Sequence, residues 1–95
     1  MKTSGPRRTF PDPVNDPDGF IAQRGALERE FWDLHQEIKG ILDKRRPENL
    51  AGRFVLSRVR AEVKRASEAY LLDDDLICAL KHQDRALRLL RKNTT

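Results

Sequence analysis

Between Pro47 and Leu72 the chain repeats apolar residues three and four positions apart, at Leu56, Val59, Val63, Ala66 and Tyr70. That interval follows the 3.6-residue turn of an α-helix and not the two-residue period of a strand. Leu50, Phe54 and Val55 widen the same apolar face. A helix of this kind buries one side only, so it needs other elements to cover it. Its start is marked twice: Pro47 suits a first helical position, and Asn49 suits a cap with Leu50 as the first residue. Gly52 continues the seam backwards, where a small residue admits a close neighbour. A chain organised around this stretch folds as packed helices.

An earlier helix is announced by Asp16-Pro17-Asp18, a capping residue, a proline at the first helical position and an acid facing the positive helix end. Leu27, Phe31, Leu34, Ile38 and Ile41 then make one seam, extended backwards by Phe20. Gly19 and Gly25 weaken the first turns. The helix should end near Lys44 or Arg45, because Arg46 precedes Pro47 and is pushed away from helical angles.

A later helix follows Asp73-Asp74-Asp75, which offers caps and first-turn acids. No glycine or proline enforces a break there, so one continuous helix from 47 to 92 is the structural alternative. Leu76, Leu80, Leu87 and Leu90 form one seam, interrupted by Gln83. Ala79, His82, Ala86 and Leu89 form a second seam ~60° away. Two adjacent seams suit a helix that touches both others. The fold expected is all-α: a small three-helix antiparallel bundle over residues 16–93, with helices at about 17–45, 47–72 and 74–92.

Residues 1–15 read as a flexible tail, with three of the chain's five prolines. So little apolar content does not offset the entropy of ordering. The functional reading of this segment is a docking strand anchored by Phe10, with Arg7 and Arg8 supplying charge.

Nineteen Lys and Arg against fifteen Asp and Glu give a net charge of +4, which permits a phosphate or acidic partner without requiring one. The lone Cys78 excludes an internal disulfide and a multi-cysteine zinc site, and reads as a small buried residue in a reducing compartment. No apolar run approaches the roughly 20 residues of a membrane span, and no signal-peptide core follows the N-terminus. A cytoplasmic protein without membrane or cofactor is the expectation. Catalytic signals are weak. His82 and Cys78 share a helix face at four-residue spacing but lack an orienting carboxylate with any specificity. His35 with Asp33 and Glu37, and the run Asp73–Asp75, show no recognisable cation-ligand spacing.

In an up-down-up bundle the end of the first helix, the start of the second and the end of the third share a pole. That pole gathers Lys44, Arg45, Arg46, Arg53, Arg88, Arg91 and Lys92, while Asp16, Asp18 and Asp73–Asp75 share the other. Helix dipoles favour that polarity for stability alone. Arg53, Arg60 and Lys64 line a separate face, with Arg58 and Arg65 beside them. Trp32, Phe54, Leu72, Ile77 and Leu89 lie beside the seams and are candidates for a partner surface. The functional expectation is a non-enzymatic helical adaptor or regulator that binds another protein or a second copy of itself. The alternative is a nucleic-acid-binding module that uses the basic pole. A helix-turn-helix does not fit, because its turn would interrupt Pro47–Leu72 and Gly52 sits too near the start.

Overall fold

The structure is a computed structural model that describes residues 8–45 and 49–92. Three helices carry the fold: α1 at Pro17–Lys44, α2 at Leu50–Leu71 and α3 at Leu76–Lys92. Asp16 caps α1, its carboxylate accepting from the Gly19 N–H at 3.1 Å. The glycine belongs there, since a Cβ on residue 19 would lie 2.3 Å from an Asp16 carboxylate oxygen. The two glycines do not interrupt the first turns: the helix runs unbroken from Pro17. Asn49 caps α2 through the Gly52 N–H at 2.7 Å, which settles the two possible starts in favour of Leu50.

α2 and α3 are separate helices. The turn between them closes without glycine or proline because Asp74 adopts φ 54°, a left-handed conformation that aspartate tolerates better than most residues. The Leu72 and Asp73 amides both donate to the Glu68 carbonyl, and Asp75 reaches back to Ala69. Asp75 then opens α3, its side chain accepting from the Cys78 N–H at 3.1 Å.

The bundle is up-down-up. The start of α1 meets the α2–α3 turn through the Arg24–Asp74 ion pair, and its end meets the end of α3 through Arg45 Nη2, which donates to the Leu90 carbonyl at 3.0 Å. α3 lies close against α2 and, over a shorter stretch, against α1. Alanines explain the closeness: Ala66 and Ala69 of α2 and Ala79 and Ala86 of α3 are all buried. α1 and α2 meet instead through large side chains, with the Phe31 and Tyr70 rings 4.8 Å apart and the Tyr70 hydroxyl donating to Glu28 at 2.9 Å.

The core has two parts. Leu27, Phe31, Ala66, Ala69, Leu76, Ala79 and Leu80 pack near the α2–α3 turn. Ile38, Leu56, Val59, Ala86, Leu87 and Leu90 pack toward the other pole. The seam of α2 is rotated from the expected one: Val63 and Tyr70 are half-buried, while Glu62 and Ala69 are buried. Gln83 interrupts the α3 seam yet is 1 % exposed, because its amide donates to the Phe31 carbonyl at 2.9 Å.

Residues 8–15 differ from the solvated tail expected of them. They form no helix or strand, as their prolines dictate, but they lie along the bundle. Arg8 pairs with Glu30 of α1 and Asp84 of α3. Phe10 packs against Phe20, with ring centroids 5.1 Å apart and the rings tilted by 39°, and against the core. The Thr9 carbonyl accepts from Gln23 at 2.9 Å. A two-carboxylate partner for Arg8 and an apolar seat for Phe10 supply what composition alone does not reveal. Residues 1–7, with Arg7, lie outside the described residues.

Candidate anion-binding face

The α2–α3 hairpin presents a cleft of about 170 Å³ on its outer side, lined by Arg58, Glu62, Arg85, Arg88, Leu89 and Lys92. The sequence places these side chains by simple geometry. On α3, Lys81, Arg85, Arg88 and Lys92 follow one another at four, three and four residues, opposite the buried face, and all are exposed. On α2, Arg58 and Arg65 are two turns apart, on the shoulder that faces α3. The two helices run antiparallel, so two basic columns stand side by side.

Among the described residues, none of these basic side chains makes an ion pair. The one carboxylate lining the cleft, Glu62, is 7 % exposed and is held by His82, whose Nδ1 lies 2.7 Å from its Oε1. Asp84 lies on α3 as well but is engaged by Arg8. Arg58, Arg85, Arg88 and Lys92 therefore outnumber the one carboxylate that lines the cleft with them, and Leu89 adds an apolar contact. Guanidinium forks on such a surface match the geometry of phosphate or carboxylate oxygens.

The basic pole read from sequence is divided by the structure. Arg88 and Lys92 line the cleft, together with Arg58 and Arg85, which the pole did not include. Arg45 is half-buried and spends its guanidinium on the Leu90 carbonyl. Arg91 lies 3.8 Å from Glu37. Arg53 lines a different patch, with Leu50, Phe54 and Ser57, and Lys44 is exposed at the end of α1. Arg46 lies outside the described residues. The opposite acidic pole is largely structural: Asp16 and Asp75 cap helices and Asp74 pairs with Arg24. The α3 stripe was readable from its four-three-four spacing; Arg85, in mid-helix, belongs to no pole.

The apolar candidates also separate. Ile77 and Leu89 are half-buried against the two parts of the core. Trp32 is 45 % exposed and belongs to a ring cluster with Phe31, His35 and Tyr70 on the α1–α2 side. Phe54, 71 % exposed, sits beside Leu50, 76 % exposed, at the start of α2. Leu72 is exposed at the other end of that helix.

His82 gains an orienting carboxylate that sequence did not show, but it has no bond to the thiol. Among the described residues no hydrogen bond joins Cys78 to His82, and Cys78 packs half-buried against the core. Among the described residues no group of three or more His, Cys, Asp or Glu is placed to hold a metal ion. Among them, too, no helix is long and apolar enough to cross a membrane. No family model matches this chain, and comparison with curated proteins and with solved structures finds no match either.

Proposed function

We propose that this protein is a small helical binding module whose principal partner is polyanionic and is held on the outer face of the α2–α3 hairpin. The observation that supports this reading is the cleft lined by Arg58, Arg85, Arg88 and Lys92, none of which forms an ion pair among the described residues. Folding alone gives no reason for it. Helix dipoles account for Arg88 and Lys92 near the end of α3, but not for Arg85 in mid-helix or Arg58 in the third turn of α2. Like charges gathered on one face repel, so a counter-charge from outside relieves them.

Retention on a heparin column tests the reading. The double variant Arg85→Glu/Arg88→Glu should elute at much lower salt than the wild type. A control with the same net charge, Arg60→Glu/Lys64→Glu on the other flank of α2, should elute between the two. Equal elution of both variants would mean that only net charge matters and would remove the reading.

A second reading rests on Leu50 and Phe54, an exposed apolar pair one helical turn apart, which favours contact with another polypeptide. Light scattering over a concentration series tests the simplest case, a second copy. Mass should rise with concentration and Phe54→Ser should suppress the rise. A constant mass in both proteins would remove self-association.

A further inference from the structure

We infer that the polyanion fitted by this face is double-stranded DNA, gripped through its phosphates without base reading; the inference rests on the anion-binding reading above. Three features of the face carry it.

The first is regularity. Lys81, Arg85, Arg88 and Lys92 stand on a helix that spans Leu76–Lys92, so they cover ~16 Å along one straight axis in steps of roughly 4.5–6 Å. Arg58 and Arg65 stand on α2, whose axis lies ~8–10 Å from that of α3 at helix-packing distance. A stiff array suits a stiff, evenly charged rod. A flexible acidic peptide would be ordered along its length on binding, at an entropic cost that a duplex avoids.

The second is chemistry. The face is lysine and arginine, with no aromatic ring among the residues lining the cleft. Single strands are held by charge together with rings on which bases stack. The described Phe, Trp and Tyr rings lie elsewhere, and the His82 ring is half-buried against Glu62: Phe10 and Phe20 pack at the start of α1, Phe31, Trp32 and Tyr70 form the α1–α2 cluster, and Phe54 stands with Leu50. The face can neutralise a backbone and has no platform for exposed bases.

The third is composition. Asn and Gln, the side chains that pair with adenine, are absent from the cleft lining, and Gln83 is buried in the core. Arginine and lysine also pair with guanine, so the phosphate assignment rests on their even spacing along α3; phosphate contacts position the protein without specifying sequence. With roughly four to six phosphates neutralised, the slope of log affinity against log salt should be about −4 to −5.

The experiment is fluorescence anisotropy with a labelled 20-bp mixed-sequence DNA duplex, its single strand and polyglutamate, over a salt series. The single Trp32 is a built-in reporter, since base stacking on the ring cluster would quench it. The expected result is duplex binding at least tenfold tighter than single strand. Affinity should be indifferent to sequence, the salt slope about −4 to −5, and Trp32 emission unchanged. Arg85→Glu/Arg88→Glu should abolish binding, and Arg58→Ala, which leaves α3 untouched, should reduce it with a shallower slope. Tighter binding of single strand with Trp32 quenching would overturn the inference and move the contact to the α1–α2 side. Polyglutamate binding as tight as duplex would overturn it in favour of an acidic protein. Heparin retention through this face without duplex binding would defeat the inference alone. Loss of both would defeat the parent reading too.

Discussion

The buried carboxylate of Glu62 on α2 lies 2.7 Å from Nδ1 of His82 on α3, directly beneath the basic columns. It joins the two helices that build the face and, among the described residues, is the one negative group lining the cleft. One residue therefore serves stability and opposes anion binding.

Glu62→Gln separates those effects. The amide keeps a hydrogen bond to His82 but loses the charge, so stability should fall by about 1 kcal/mol in thermal unfolding. Anion affinity should rise, by about two- to fivefold, because a negative charge leaves the cleft. A variant that binds more weakly while remaining folded would place the anion elsewhere.

Tyr70 is the chain's only tyrosine, so its phenol can be titrated alone by ultraviolet absorbance. Its hydrogen bond to Glu28, with burial second, raises it above its ordinary value. The raised value favours the neutral phenol in the folded state. The stability it contributes is present below about pH 10 and is lost as pH rises through the folded value. The phenolate midpoint should lie above that of unfolded protein, and Glu28→Gln should bring it down. Equal midpoints in folded and unfolded protein would contradict the contact.

Arg8 ties residues 8–15 to both α1 and α3 through Glu30 and Asp84. The pairs are partly exposed, so Arg8→Ala should cost only about 1 kcal/mol. The larger effect is local. Cleavage in the segment around Phe10 should accelerate several-fold in limited proteolysis, while the helices stay protected. Unchanged cleavage would show that Phe10 alone holds the segment.

Gly40 is exposed within α1, and a Cβ there would meet nothing within 4 Å. Gly40→Ala should therefore stabilise the protein by about 0.5–1 kcal/mol in denaturant unfolding. A loss of stability would show that α1 is irregular near its end.

The helices were legible because their signals are local. Asp16-Pro17, Asn49 and the three-four spacings fix starts and faces without reference to the rest of the chain. The break between α2 and α3 was not enforced by sequence, since it depends on Asp74 accepting a left-handed conformation. The basic face was half legible. Arg88 and Lys92 lie near the end of α3, where helix-end reasoning finds them. Arg58 and Arg85 join them only through the antiparallel docking of α2 on α3, which also sets Glu62 against His82. Arg45 shows the converse: a basic residue at a pole, directed by tertiary packing to a helix-end carbonyl.

The most direct test of the binding face is a map of amide chemical-shift changes as a 20-bp DNA duplex is added to labelled protein at low salt. Shifts should concentrate at Arg58, Arg85, Arg88, Leu89 and Lys92, with Lys81 and Arg65 following and Leu50, Phe54 and Trp32 unmoved. Shifts confined to Leu50 and Phe54, or to the rings around Trp32, or absent throughout, would contradict that binding face.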